Sequence, residues 1–256
     1  MKTLLKFGWI VLVFMACSKD EDLNIDENHI DKSLNQKITG SSSHDLLSDD
    51  RYKSMLIELV YVQGQKPSQS SVDNFVEFIK NRTYKPNGII VESRAITASG
   101  KSNYTIEDIV SIEDANRTNY NLDDQIALWV YFSDGVSSED TDSTTVLGTA
   151  YRNTSFVIYQ QSIQKFSDDA FGPSRELLET TVITHEFGHI LGLTNFGATM
   201  VENHEDAEHE RHCDNESCLM YWAAESGTGL ANLTGASSAP GLDDQCISDL
   251  RANGGK

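Results

Sequence analysis

Residues 174–192 read SRELLETTVITHEFGHILG, and this stretch decides the fold. Its apolar residues Leu177, Leu178, Val182, Ile183, Phe187, Ile190 and Leu191 recur at three- and four-residue steps. That period predicts a helix with a buried face. Gly172-Pro173 breaks the chain just before it, Ser174 is placed to cap its start, and Gly192 is placed to end it in a left-handed turn. Within the helix, His185-Glu186-Phe187-Gly188-His189 forms an HExxH pattern. Four-residue spacing stacks two imidazoles on one helix face, close enough to share a metal ion. Glu186 lies beside them, in reach of a water at that metal without being a ligand itself. A zinc site at His185 and His189 is the expectation.

The 256 residues suit one substantial domain or two small ones. Acidic residues number 39 against 20 basic ones, a formal charge of -19. Such an excess argues against a nucleic-acid partner and against a polybasic membrane patch, and it favours solubility. Residues 1–16 read as a signal peptide: Lys2 and Lys6, an apolar run from Phe7 to Met15, then Ala16. That run is too short to span a bilayer. Phe14-Met15-Ala16-Cys17 resembles a bacterial lipobox with Phe in place of the usual Leu, which implies cleavage before Cys17 and its acylation. Ser18-Lys19-Asp20-Glu21-Asp22 resembles the lysine-plus-acids signal that sends lipoproteins of some Gram-negative bacteria to the outer face of the outer membrane. Residues 17–50, polar and aperiodic, read as a disordered acidic tether that ends where a folded domain of residues 51–256 begins.

Beyond Arg51, Met55–Gln63, Gly88–Thr97 and Gln125–Phe132 read as strands, with Thr145–Tyr151 and Ser155–Gln160 as shorter ones. Ser71–Tyr84, Thr105–Asn116 and Asp243–Ala252 have helical spacing. Residues 161–173 and the Gly/Ala/Ser-rich 223–241 read as loops. Ser133–Thr145 is an acidic loop whose Asp134, Glu139, Asp140 and Asp142 are either solvated or a calcium site. Alternating strands and helices predict an α/β (α+β) domain. It would be a twisted, mostly parallel sheet packed on the HExxH helix (upper part, 51–192), followed by a small irregular C-terminal subdomain (193–256). No internal repeat is present.

Over roughly residues 180–222 the chain resembles the metzincin clan of zinc peptidases, whose motif is HExxHxxGxxH followed by a methionine turn. His185, Glu186, His189 and Gly192 match, but the next ligand position holds Asn195. Amide oxygen is a poor zinc ligand beside imidazole. Within the clan the pattern is closest to the archaemetzincins, where the third histidine runs directly into CxxxxCxM. His212-Cys213, Cys218 and Met220 reproduce that segment. The departure is an insertion, because the family places this histidine three residues after the glycine. The resemblance implies a metzincin-like zincin fold, His212 as third ligand and Met220 as the methionine under the metal. His204 is the rival third ligand, and His209, His29 and His44 have no expected role. A gluzincin arrangement would instead use Glu205, Glu208 or Glu210, but it leaves Gly192 and the Cys-Leu-Met segment unexplained.

Archaemetzincins also carry a downstream CxxC that completes a second zinc site. Here Cys246 has Asp249 at the last position, so Cys213, Cys218, Cys246 and Asp249 are candidates for a second, structural zinc. An exported protein favours the alternative, a Cys213–Cys218 or Cys213–Cys246 disulfide with one spare thiol. The expected activity is hydrolysis of peptide bonds in a protein or peptide substrate, by zinc-activated water with Glu186 as general base. Tyr221 is a core residue or an aid to the oxyanion, and an edge strand near Thr145–Tyr151 would hold the substrate extended. The competing class is a catalytically silent, surface-anchored binding lipoprotein. Glu186 argues against it, since a binding module needs no base. A lipid-anchored monomer on the cell surface is the overall expectation.

Overall fold

The structure is a computed structural model that describes residues 30–229 and 233–256. The signal segment and Cys17 lie outside those residues. The chain runs β1 (Ser54–Val62), α2 (Gln69–Arg82, after a short α1 at Ser43–Leu47), β2 (Ile89–Ile96), β3 (Asn103–Tyr104) and α3 (Ile106–Asn116). It continues through β4 (Gln125–Phe132), β5 (Val136–Ser137), β6 (Gly148–Arg152), β7 (Ser155–Ile158), α4 (Gln160–Ser167), α5 (Arg175–Ile190) and α6 (Asp244–Ala252). The main sheet has the order β2-β1-β4-β7-β6. Its pairs are parallel except β6 on β7, which is antiparallel and puts β6 at an edge.

β1 and β4 are buried along almost their whole length, as central strands covered on both faces must be. Met55, Ile57, Leu59, Leu128, Val130 and Phe132 face one core with Phe75 of α2 and Leu178, Val182 and Phe187 of α5. The alternate residues Val60, Trp129, Tyr131 and Val157 face a second core with Ile109 of α3. α3 begins with the reciprocal cap that its sequence carries, Thr105 Oγ1 accepting from the Asp108 amide and Asp108 from the Thr105 amide. The sheet, the helical layers and the irregular C-terminal part bear out the expected fold class.

Three readings are corrected. Residues 30–50, expected as part of the tether, are packed onto the domain. Asp31 caps a 3-10 turn at Lys32–Asn35, and buried Asn35 donates to Asn121 Oδ1 (2.8 Å), Thr154 Oγ1 (3.0 Å) and the Ala127 carbonyl (3.1 Å). Leu46 and Leu47 of α1 are fully buried in the main core. This segment is held by individual hydrogen bonds and two leucines, so it shows no helical or strand period. Gly40, in the apparent linker, is pressed backbone to backbone on Phe196 and Gly197. His44, expected to be idle, bonds Asp50 and the Asn253 carbonyl, each at 2.9 Å. Second, residues 160–167 form α4 rather than a loop, seating Gln160 against α5. Third, the 223–241 loop opens with 3-10 turns at Trp222–Glu225 and Gly227–Gly229. The carboxylates of the 133–145 loop do not converge: Asp134 accepts from Tyr104 and Asp140 from the Val146 amide. No helix among the described residues is long and apolar enough to cross a membrane.

Candidate metal centre

α5 starts as its sequence requires, with Ser174 Oγ accepting from the Leu177 amide, and Gly192 follows its end at φ +79°. Every residue from Leu177 to Ile190 is buried, so both histidines and Glu186 are carried into the interior. His212 joins them. The ring centroids are 4.7 Å apart for His185–His189, 5.4 Å for His185–His212 and 5.0 Å for His189–His212.

The insertion does not displace His212, because it leaves and returns at neighbouring points. The Thr194 hydroxyl donates to the Arg211 carbonyl, the Asp206 amide to the His212 carbonyl (2.8 Å), and the Asp214 amide to the His204 carbonyl (3.0 Å). The loop is thus closed at its base, and His212 stands where the chain leaves it.

The outward nitrogens are fixed by backbone acceptors. His185 Nδ1 lies 2.7 Å from the Leu219 carbonyl and His212 Nδ1 3.0 Å from the Glu210 carbonyl. Those bonds place the proton on Nδ1 and turn the Nε2 lone pairs of both rings toward each other. Neither Nε2 has a hydrogen-bond partner, though both are buried. Burial pushes the His189 imidazolium down to about 4, so this ring is neutral at ordinary pH. Two buried imidazoles and a third, part-buried one, converging with the Nε2 atoms of His185 and His212 unsatisfied, are the donor set that zinc takes. The residues present therefore fit a zinc ion.

Glu186 is fully buried beside them, and neither of its oxygens has a hydrogen-bond partner. Burial, with the charge of Glu225 adding to it, raises its proton affinity well above that of an ordinary carboxylate. Met220 is buried beneath the helix, so close that a Cβ on Gly188 would stand 2.3 Å from its Sδ. Tyr221 lies against Trp222, outside the cluster.

Sequence reasoning missed Glu225. Its Oε2 is 3.5 Å from His185 Nε2 and 3.6 Å from His189 Nε2, and its Oε1 is 3.1 Å from His212 Nε2. The available signal was that Glu225 is the sole acid between Glu216 and Asp243. Glu205, Glu208 and Glu210 stay out of the cluster, and Glu205 is occupied by Asn195 and the Arg211 amide.

His204, the rival ligand, stands in a second cluster. Its Nδ1 is 3.5 Å from Cys213 Sγ, and its Nε2 is 2.9 Å from Asp249 Oδ2. Ligand atoms of His204, Cys213, Asp243 and Cys246 lie within 4.8 Å of one another, and Cys218 Sγ is 3.6 Å from Cys246 Sγ. All three sulfurs are unbonded thiols, so the expected disulfide is absent. They converge with an imidazole instead of pairing off. Cys213 and then Cys246 draw the Cys218 thiol down to about 4, leaving one thiolate among the three. Asp249 faces His204 rather than the sulfurs, which corrects its expected place as a ligand.

No protein-family model matches the sequence, and no curated protein matches it. Among solved structures, the archaemetzincin of Methanopyrus kandleri matches with a TM-score of 0.52 at 17% identity, over 78% of this chain and 96% of that one. A zinc-dependent peptidase from Methanocorpusculum labreanum matches with a TM-score of 0.48 at 16% identity, over 76% of this chain and 99% of that one. The sheet and its helices thus make a mostly parallel α/β domain. More narrowly, its fold is similar to that of archaemetzincin.

Proposed function

We propose that the chain is a zinc-dependent endopeptidase. The observation that carries this reading is the convergence of His185, His189 and His212 beside a buried, unpartnered Glu186. His185, His189 and His212 would hold a zinc ion, which when bound would supply Lewis acidity toward the scissile carbonyl and a bound water. Glu186 takes the proton from the attacking water and passes it to the leaving nitrogen. Its raised proton affinity suits it to hold the proton between the two transfers. Met220 shapes the floor beneath the imidazoles. β6, paired on one side by β7, offers its other edge to an extended peptide.

Cys213, Cys218, Cys246 and His204 would hold a second, structural zinc, with Asp249 orienting the imidazole from behind. Export, lipidation at Cys17, anchoring at the outer surface of a Gram-negative outer membrane and a monomeric state complete the proposal, and they rest on the N-terminal sequence and composition alone.

Glu186→Gln tests the assignment. The variant should keep its zinc, read by elemental analysis, and lose casein cleavage by at least about 100-fold, as removal of a general base does. A Gln variant that cleaves at the parental rate would remove Glu186 from the mechanism.

A further inference from the structure

Glu225 contacts all three imidazoles at once, at the 3.1 to 3.6 Å described above. Ligand atoms around a tetrahedral zinc with bonds of about 2.0–2.1 Å stand roughly 3.3–3.4 Å from one another. The carboxylate therefore sits at the spacing of a fellow ligand. At the centre of the cage it would be much nearer to each nitrogen. Three imidazoles and a carboxylate make four ligands, and four protein ligands are the mark of a closed zinc site, whereas catalytic sites keep one position open.

The backbone behind Glu225 adds a second observation. The Leu147 amide donates to the Glu225 carbonyl (2.9 Å), the Gly227 amide to the Thr145 carbonyl (2.8 Å), and Val146 bridges Ser226. Thr145–Leu147 leads directly into β6, the strand offered to substrate. The segment that presents Glu225 is thus stitched to the segment that a bound peptide would engage.

We propose that Glu225 is the fourth ligand of the zinc and keeps the enzyme latent until substrate pairing along β6 draws it away. This rests on the zinc-peptidase reading and adds a regulatory device to that site.

Cobalt(II) in place of zinc gives a spectrum that reports coordination without turnover. The purified parent, Glu225→Ala and the isosteric Glu225→Gln are loaded with cobalt, each read as the increment over His185→Ala to exclude the thiol site, and titrated with azide. The parental spectrum should stay unchanged at azide concentrations that shift both variants. Both variants should hold that cobalt at least about 10-fold more weakly and, zinc-loaded, cleave casein faster than the parent. Equal azide response and equal affinity in parent and variants, with cleavage intact, would overturn the role of Glu225 and leave the peptidase standing. No increment over His185→Ala in the parent would overturn both.

Discussion

Gly148 of β6 shows how closely the Glu186 carboxylate is held. A Cβ there would stand 2.7 Å from both Cγ and Oε1 of Glu186 and 2.8 Å from Val182 Cγ1. Gly148→Ala should therefore shift Glu186 and lower casein cleavage about 10- to 100-fold, while zinc content stays at the parental value. The two clusters separate the histidines in the same way. His212→Ala should empty the centre on α5 and abolish cleavage, and Asp249→Asn should weaken the other centre about 10- to 100-fold, both read by two-step chelator titration. His185, Glu186 and His189 were legible because one helical turn fixes their relation in advance. His212 was legible through its fixed spacing to Met220. Glu225 and the true place of His204 depend on how residues 193–211 and 221–229 fold, and neither stretch has a period from which that could be read.

α5 is the element on which the site hangs, and one buried carboxylate ties it to its neighbours. Glu179 accepts from the Ser68 amide and the Ser71 hydroxyl (each 2.8 Å), from Arg175 Nε (2.7 Å) and from Gln160 Nε2 (2.5 Å). It thereby joins α5 to the starts of α2 and α4. Burial opposes its charge, but Ser68, Arg175 and Ser71 outweigh burial and hold the carboxyl below its ordinary value of 4.5. A depressed folded value means that its stabilisation is present above 4.5 and is lost as pH falls through the folded value. Glu179→Gln should cost about 3 kcal/mol at neutral pH and flatten the loss of stability as the pH falls below 4.5, measured by denaturant unfolding. The boundaries of α5 were readable from Ser174 and Gly192. Its burial on all sides was not, since Thr181 and Thr184 look solvent-facing. Their hydroxyls instead donate to the Leu177 and Thr180 carbonyls (2.8 and 2.7 Å), so the polar face enters the interior already satisfied.

At the scale of the molecule, the packed segment 30–50 matters most for stability. Leu47 is fully buried, and the Tyr84 amide donates to its carbonyl at 2.7 Å. Leu47→Ala should cost about 2–5 kcal/mol in urea unfolding, an effect foreign to a tether. A domain trimmed to begin at residue 51 should be less stable still. The strand order escaped the sequence because pairing partners are far apart along the chain, whereas each strand's existence was plain from its run of β-branched and aromatic residues. The C-terminal part has little regular structure of its own, and its three sulfurs share a single pocket. Because their number is odd, oxidation can marry only two of them. Cys218 and Cys246, 3.6 Å apart, are the pair nearest to hand. If the pocket holds zinc as proposed, a spell without the ion under an oxidant would leave Cys213 widowed and the pocket unable to take zinc again until a reductant intervened, a covalent memory of metal starvation.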